Sequence, residues 1–190
     1  LTDWVRAGGT LIAQSNAVRF LSEGGLDLIA SKPENTPEST APGSAPAAAS
    51  ILTSTEALRA AIAPTSERPD SLPGVLVKAD LNADHYLSAG VKSSVNVMAT
   101  GSDIYTPLKL DAGRNVASFA GPEDILASGY IWEENRKQMA YKPFVMATEA
   151  GYGTVIAYTQ EPTFRASMDG LLVLYANSLF RPAGHSNKQR

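Results

Sequence analysis

Leu1-Thr-Asp-Trp-Val-Arg-Ala-Gly-Gly-Thr-Leu-Ile-Ala-Gln-Ser-Asn-Ala-Val-Arg-Phe-Leu-Ser-Glu-Gly-Gly25 is the stretch that decides the expected fold. Leu1, Trp4 and Val5 share one face of a short helix running to Ala7. Gly8 and Gly9 supply a left-handed helix stop. Thr10 to Ala13 then reads as a continuously apolar strand, the type found in parallel sheets covered on both faces. A second helix follows from Asn16 to Ser22 and ends at Gly24-Gly25. Helix, Gly-Gly, buried strand and helix is the rhythm of a doubly wound α/β sheet. A chain that opens on a helix end is expected to have further strands upstream of Leu1. Without them, the sheet edge would be open to pairing with another chain.

Outward from this unit, the pattern changes. Residues 31–72 read as an insertion, and 31–50 is low in complexity, with Pro33, Pro37, Pro42 and Pro46 among Ser, Thr, Ala and Gly. Thr53-Ser-Thr-Glu56 matches a capping box, which predicts a helix to about Ile62 with Leu58, Ala61 and Ile62 inward. Pro64 to Pro73 reads as a second loop. From Gly74 strands dominate: Gly74–Ala79, Val95–Ala99, Val116–Phe119, Phe144–Thr148 and Thr154–Tyr158. Ala150-Gly-Tyr-Gly153 suits a hairpin turn between the last two. Met168 to Phe180 reads as an amphipathic helix with Met168, Leu171, Leu172, Leu174, Tyr175 and Phe180 on a wide apolar stripe. Residues 1–181 are therefore expected to form one domain, and 182–190 a polar tail.

Composition narrows the function classes. The chain has 190 residues, 44% hydrophobic and 18% charged, enough apolar material for a real core. A net charge of −3 is no nucleic-acid footprint, and no apolar run approaches the length of a membrane span. The absence of cysteine removes disulfides, thiolate metal sites and a cysteine nucleophile together.

Few residues gather into chemistry. Ser15, between Ala13 and Ala17 at a strand-to-helix junction, has the setting of a hydrolase nucleophile elbow. A helix cap, which needs no partner histidine, is the simpler reading. His85 is the candidate base; His185 falls in the polar tail. Asp80, Asn82 and Asp84 imitate the opening of a calcium loop. The glycine and the closing glutamate such a loop requires are replaced by His85 and Val91, so a plain turn is the simpler reading. Neither histidine has a zinc-ligand partner at helical spacing. Glu133-Glu-Asn-Arg-Lys137 reads as a solvated face anchored by Ile131 and Trp132. Arg165, with Trp132 and Tyr130, marks a third possibility, a small-molecule or glycan site at the carboxyl ends of the strands.

Several segments, taken in order, resemble a known family. Trp4 to Ala13 resembles the helix–Gly-Gly–strand of class I glutamine-amidotransferase-like domains. Pro73 to Asp80 followed by Asp84 to Gly90 resembles a "strand, Asp, His-Pro-Leu, Gly" segment in the domain appended to bacterial zinc carboxypeptidases of the M14 family, although Tyr86 stands where proline is expected. Ser128-Gly-Tyr-Ile131 resembles its "Ser-Gly-aromatic" step. Gly151 to Tyr158, Glu161-Pro-Thr-Phe-Arg165 and Leu171 to Asn177 resemble its ending.

The resemblance implies a three-layer flavodoxin-like, amidotransferase-like α/β fold that lacks its first strands and has an antiparallel, β-rich second half. It also implies a parent with a secretory signal, periplasmic or secreted, and an N-terminal zinc peptidase domain as the partner of this one. The peptidase's zinc ligands and catalytic glutamate would lie in that domain; none is carried onto a position here. Glutaminase chemistry needs a thiol at the elbow, which this chain lacks. The leading expectation is thus a non-catalytic accessory domain. A serine hydrolase using Ser15 and His85, or a ligand-binding module using Arg165, Trp132 and Tyr130, are the alternatives.

Overall fold

The computed structural model describes residues 1–22, 26–34, 55 and 71–182. The body of the proline-rich insertion, the Thr53–Glu56 capping box apart from Thr55, the helix expected after it, and all but the first residue of the 182–190 tail lie outside the described residues.

The described chain is built on one mixed sheet. Its strands are β1 (Thr10–Gln14), β2 (Leu72–Leu81), β3 (Ser94–Gly101), β4 (Arg114–Phe119), β5 (Leu126–Ser128), β6 (Pro143–Ala150) and β7 (Gly153–Tyr158). The spatial order is β1-β7-β6-β4-β2-β3, with β5 pairing β2 on the same side as β4. Four helices accompany it: α1 (Thr2–Arg6), α2 (Asn16–Ser22), α3 (Glu133–Met139) and α4 (Asp169–Phe180).

This topology corrects the expected fold class. A flavodoxin-like or amidotransferase-like domain is doubly wound around a parallel sheet. Here β1 and β7 run parallel, from Thr10↔Thr154 to Gln14↔Tyr158. Every other pairing among the described strands is antiparallel. The molecule is strand-rich, and α4 is its one helix longer than two turns among the described residues.

One local signal does not define the whole sheet. Thr10–Ala13 reads as a buried parallel strand and does pair parallel with β7, but the doubly wound arrangement does not extend beyond that pair. The antiparallel hairpin of β6 and β7 is also buried on both faces over most of its length, whereas β2 and β3 alternate. All six residues of β7 are buried. Ile156 and Tyr158 join one apolar cluster with Phe144, Val97, Leu171 and Leu174. Val155 and Ala157 join a second with Val5, Val18, Met146 and Tyr105. Thus α4 covers one face, while α1, α2 and the segment around Tyr105 cover the other.

The β6–β7 hairpin turns at Gly151, whose φ of 64° lies in the left-handed region that glycine enters without strain. Gly153 serves a different purpose: a Cβ there would collide with the carbonyls of Val5 and Gly9. Its bare backbone lets the α1–β1 turn lie against the hairpin, where the Thr154 N–H donates to the Gly9 carbonyl at 3.1 Å.

Several local expectations also shift. β2 begins at Leu72, so Pro73 belongs to a strand rather than a loop, next to a register shift between Leu72 and Val75 where proline is tolerated. Glu133–Lys137 is helical, with a Glu133–Lys137 ion pair of 3.3 Å one turn apart. Ile131 is buried as expected of an anchor, but Trp132 is largely exposed, as is Phe180 on the last helix.

Candidate functional site

The strand directions gather one set of termini at one sheet edge. The carboxyl ends of β2 and β6 meet the amino ends of β4, β7 and β1 there. A cleft of about 480 Å³ opens at this edge, between His85-Tyr86 on one side and Leu110–Arg114 on the other, with Thr148 and Glu149 of β6 between them.

The first wall begins where β2 ends. Asn82 Oδ1 accepts from the Asp84 N–H at 3.1 Å, an Asx turn that bends the chain. That hydrogen bond accounts for the aspartate-asparagine pattern that imitates a calcium loop. His85 then caps the one-turn 3-10 helix Tyr86–Ser88, its Nδ1 accepting from the Leu87 N–H at 3.3 Å. In the neutral ring this leaves the proton on Nε2. The His85 and Tyr86 rings stack at 4.5 Å with 29° between their planes. Burial, and secondarily the charge of Glu149, raise the Tyr86 hydroxyl above the ordinary phenol pKa.

The second wall is a turn fixed from several directions. Asn115 clamps Leu108 through both ends of its amide, at 3.0 and 2.9 Å. Arg114 Nη1 donates to the carbonyls of Leu110 and Gly113. Thr148 Oγ1 donates to the Ala112 carbonyl at 2.7 Å. Gly113 has a φ of 151°, and a Cβ there would sit 2.6 Å from the Ala147 carbonyl, so the turn lies directly on β6.

Ser15 is elsewhere. It follows β1 at the opposite sheet edge, where its N–H donates to the Tyr158 carbonyl at 2.8 Å and its carbonyl accepts from the Val18 N–H at 2.9 Å. Its φ of 49° gives the left-handed strand-to-helix bend of an elbow. The cleft holding His85 is lined by Thr154 at the start of β7, whereas Ser15 is bonded to its end. Thr154 and Tyr158 are themselves roughly 13 Å apart along β7, at about 3.3 Å per strand residue. The structure does not bring the nucleophile and base candidates together.

Arg165 sits in the one-turn 3-10 helix Phe164–Ala166 with a φ of 49°, its guanidinium carbon 5.3 Å from the Phe164 ring centre. Tyr130 and Trp132 pack edge to face at 5.4 Å and are both exposed. Trp132 lines a shallow hollow of about 340 Å³ with Ser71, Glu134 and Asn135, and Arg165 is not part of that lining. The ring pair is therefore assembled, while the Arg165 guanidinium lies against the Phe164 ring. Asp111, Arg114, Thr148 and Glu149 were not singled out in the sequence. Asp111-Ala-Gly113 is a legible turn signal, but nothing local shows that β6 will carry Glu149 to face it.

Among the described residues, no three His, Asp or Glu side chains converge as metal ligands, and no helix is long and apolar enough to cross a membrane. No protein-family model matches the chain, and no curated protein matches it. Among solved structures, it is similar to the β-galactosidase from Bacillus circulans sp. alkalophilus, at 13% identity and a TM-score of 0.48. The match covers 93% of this chain and 19% of that one, so the chain spans about a fifth of the length of that enzyme. At this level the likeness carries no functional argument.

Proposed function

We propose that this chain is a non-catalytic accessory domain of a larger polypeptide, bracing a hydrolytic domain or shaping access to it. The observation that supports this reading is the placement of Ser15 and His85 at opposite edges of the sheet. An acyl-transfer site needs nucleophile and base within hydrogen-bond reach, and strand β7 separates these two. The cysteine-free composition supports it as well.

For the partner, the ordered resemblance of Asp84–Gly90, Gly151–Tyr158 and Glu161–Arg165 favours an N-terminal zinc carboxypeptidase domain in a periplasmic or secreted parent. Zinc would belong to that domain. The outer edge of β1 has no strand beside it among the described residues, and such an edge can accept one from a neighbouring domain or a second copy.

The test is direct. The purified 190-residue chain should not hydrolyse a p-nitrophenyl ester or release the terminal residue of a blocked dipeptide. Turnover that disappears in Ser15→Ala would overturn the reading. The full open reading frame tests the partner: an upstream His-x-x-Glu followed by a distant His is expected, and a frame without them removes the carboxypeptidase assignment.

A further inference from the structure

We propose that the outer edge of β3 and the groove between it and the first turns of α4 bind an extended peptide as an added strand. This goes beyond the accessory role and does not depend on it.

The edge is open and unguarded. The Leu81 N–H donates to the Ser93 carbonyl, and in an antiparallel ladder such bonded positions recur at every second residue. Val95, Val97 and Ala99 therefore turn their N–H and C=O groups toward β2, in register with Ala79, Val77 and Val75. Those of Ser94, Asn96 and Met98 point the other way, where no strand lies among the described residues. The fold closes this row at its far end, where the buried Gln160 side chain accepts from the Thr100 N–H at 3.0 Å. Ser94 to Met98 carries none of the charges or prolines that usually blunt an edge. Donors and acceptors recurring at this spacing are matched by another extended backbone.

Beside the edge lies a groove of about 500 Å³, within the size of clefts that hold ligands. Gly170 brings its walls together: a Cβ there would lie 3.1 Å from the Val95 side chain, so α4 comes down close upon β3. Val91, Val95, Met168, Leu171 and Val173 supply apolar lining. Alternate side chains of an added strand point to the α4 side, so an apolar one enters the groove while its backbone bonds the edge. The lining continues through Ser167, which follows two non-glycine residues in the left-handed region, Arg165 at φ 49° and Ala166 at φ 50°. Strain of this kind collects at ligand clamps.

A single extended chain fits this place better than a second copy of the protein. Two-fold antiparallel pairing keeps like faces on the same side, so each copy would bring its own α4 into the other's groove. Charge points to a peptide carrying both signs. Lys92 and Asp169 stand in the lining, and neither belongs to an ion pair among the described residues.

The experiment is an amide-resolved NMR titration of the ¹⁵N-labelled chain with three acetylated, amidated heptapeptides, Lys-Thr-Val-Thr-Val-Thr-Glu and its Leu and Phe counterparts. At least one should give saturable shifts at Ser94, Asn96 and Met98 and slow amide exchange there at least tenfold. N-methylation of that peptide at alternate residues gives two isomers. One should keep its affinity and the other lose at least tenfold, because an added strand bonds the edge through every second residue. Val173→Lys places a cation one turn after Asp169, which favours the helix. It should weaken binding at least fivefold with the thermal midpoint within a few degrees. No saturable shift with any of the three peptides overturns the proposal. So do shifts centred on the β1 edge at Thr10, Ile12 and Gln14, or equal behaviour of the two N-methyl isomers. Protection of Asn96 and Met98 that rises with protein concentration before peptide is added would make a second copy the occupant, and overturns it too. Turnover lost in Ser15→Ala would sink only the accessory reading.

Discussion

The Tyr158 hydroxyl lies 2.6 Å from the Ser178 hydroxyl, joining the buried face of β7 to α4. Ser178 also donates to the Leu174 carbonyl at 3.2 Å, so the pair is anchored in the helix backbone. Removing the phenol oxygen in Tyr158→Phe leaves Ser178 with that second partner. The expected loss is about 1 kcal/mol, measured as a shift in the urea midpoint.

The same tyrosine predicts an alkaline limit. Burial is the main cause that raises its pKa, and the hydrogen bond with Ser178 only partly offsets it. A tyrosine in the unfolded chain ionises at about pH 10. Above that pH the unfolded state gives up its proton while the folded state keeps it, so stability is present below about pH 10 and falls as pH rises further. Urea midpoints at pH 8, 10 and 11 should show this decline. Tyr158→Phe should decline less over the same interval, and equal slopes would refute the assignment.

Asn177 joins α4 to the loop after β2. Its Nδ2 donates to the carbonyls of Leu87 and Ala89, each at 2.8 Å, and its Oδ1 accepts from Arg181 Nε at 2.8 Å. Asn177→Leu keeps the size and leaves the two carbonyls without a donor. A loss of roughly 2–4 kcal/mol is expected from unpaired buried acceptors. Chemical denaturation measures it, and a loss below half a kilocalorie per mole would show that water replaces the amide.

Gly153→Ala should be more costly than Gly151→Ala. The first drives a methyl into the carbonyls of both Val5 and Gly9; the second places a side chain at φ 64° and 2.7 Å from the Arg6 carbonyl, a milder approach. Roughly 3 kcal/mol or more is expected for the first clash, and about 2 kcal/mol for the left-handed backbone and the lesser contact together. Thermal unfolding of the two variants gives the ranking directly.

Lys142 and Glu34 form a 2.6 Å ion pair with both side chains about three-quarters buried. A double-mutant cycle with Lys142→Met and Glu34→Gln should give a coupling of about 1 kcal/mol, above that of exposed pairs. Part of it should persist at 1 M salt, because partial burial limits screening.

Legibility in the sequence followed the range of each interaction. Val75, Val77 and Ala79 alternate inward, and Thr10–Ala13 and Thr154–Tyr158 are apolar throughout, so these strands could be placed within a residue or two. Short β5 has no such pattern, and its pairing with β2 at Val77 and Leu76 depends on partners far away in the chain. Strand direction is equally non-local. The Gly151-Tyr-Gly153 turn marks Phe144–Thr148 as running against β7, but nothing in the segment states that it also runs against β4. His85 and Ser15 were recognisable as reactive types. Their separation was not, since it depends on which end of β7 each one meets.

The parallel ladder between β1 and β7 joins residues near the start of the chain to residues near its end. During synthesis, β1 must therefore wait for nearly all of the remaining strands to leave the ribosome before its own neighbour exists. The hairpin of β6 and β7 can close early once made, but the seam with β1 closes last. Long-range closure of this kind slows folding, and until it happens the apolar Thr10–Ala13 segment is the part of this protein most in need of a chaperone.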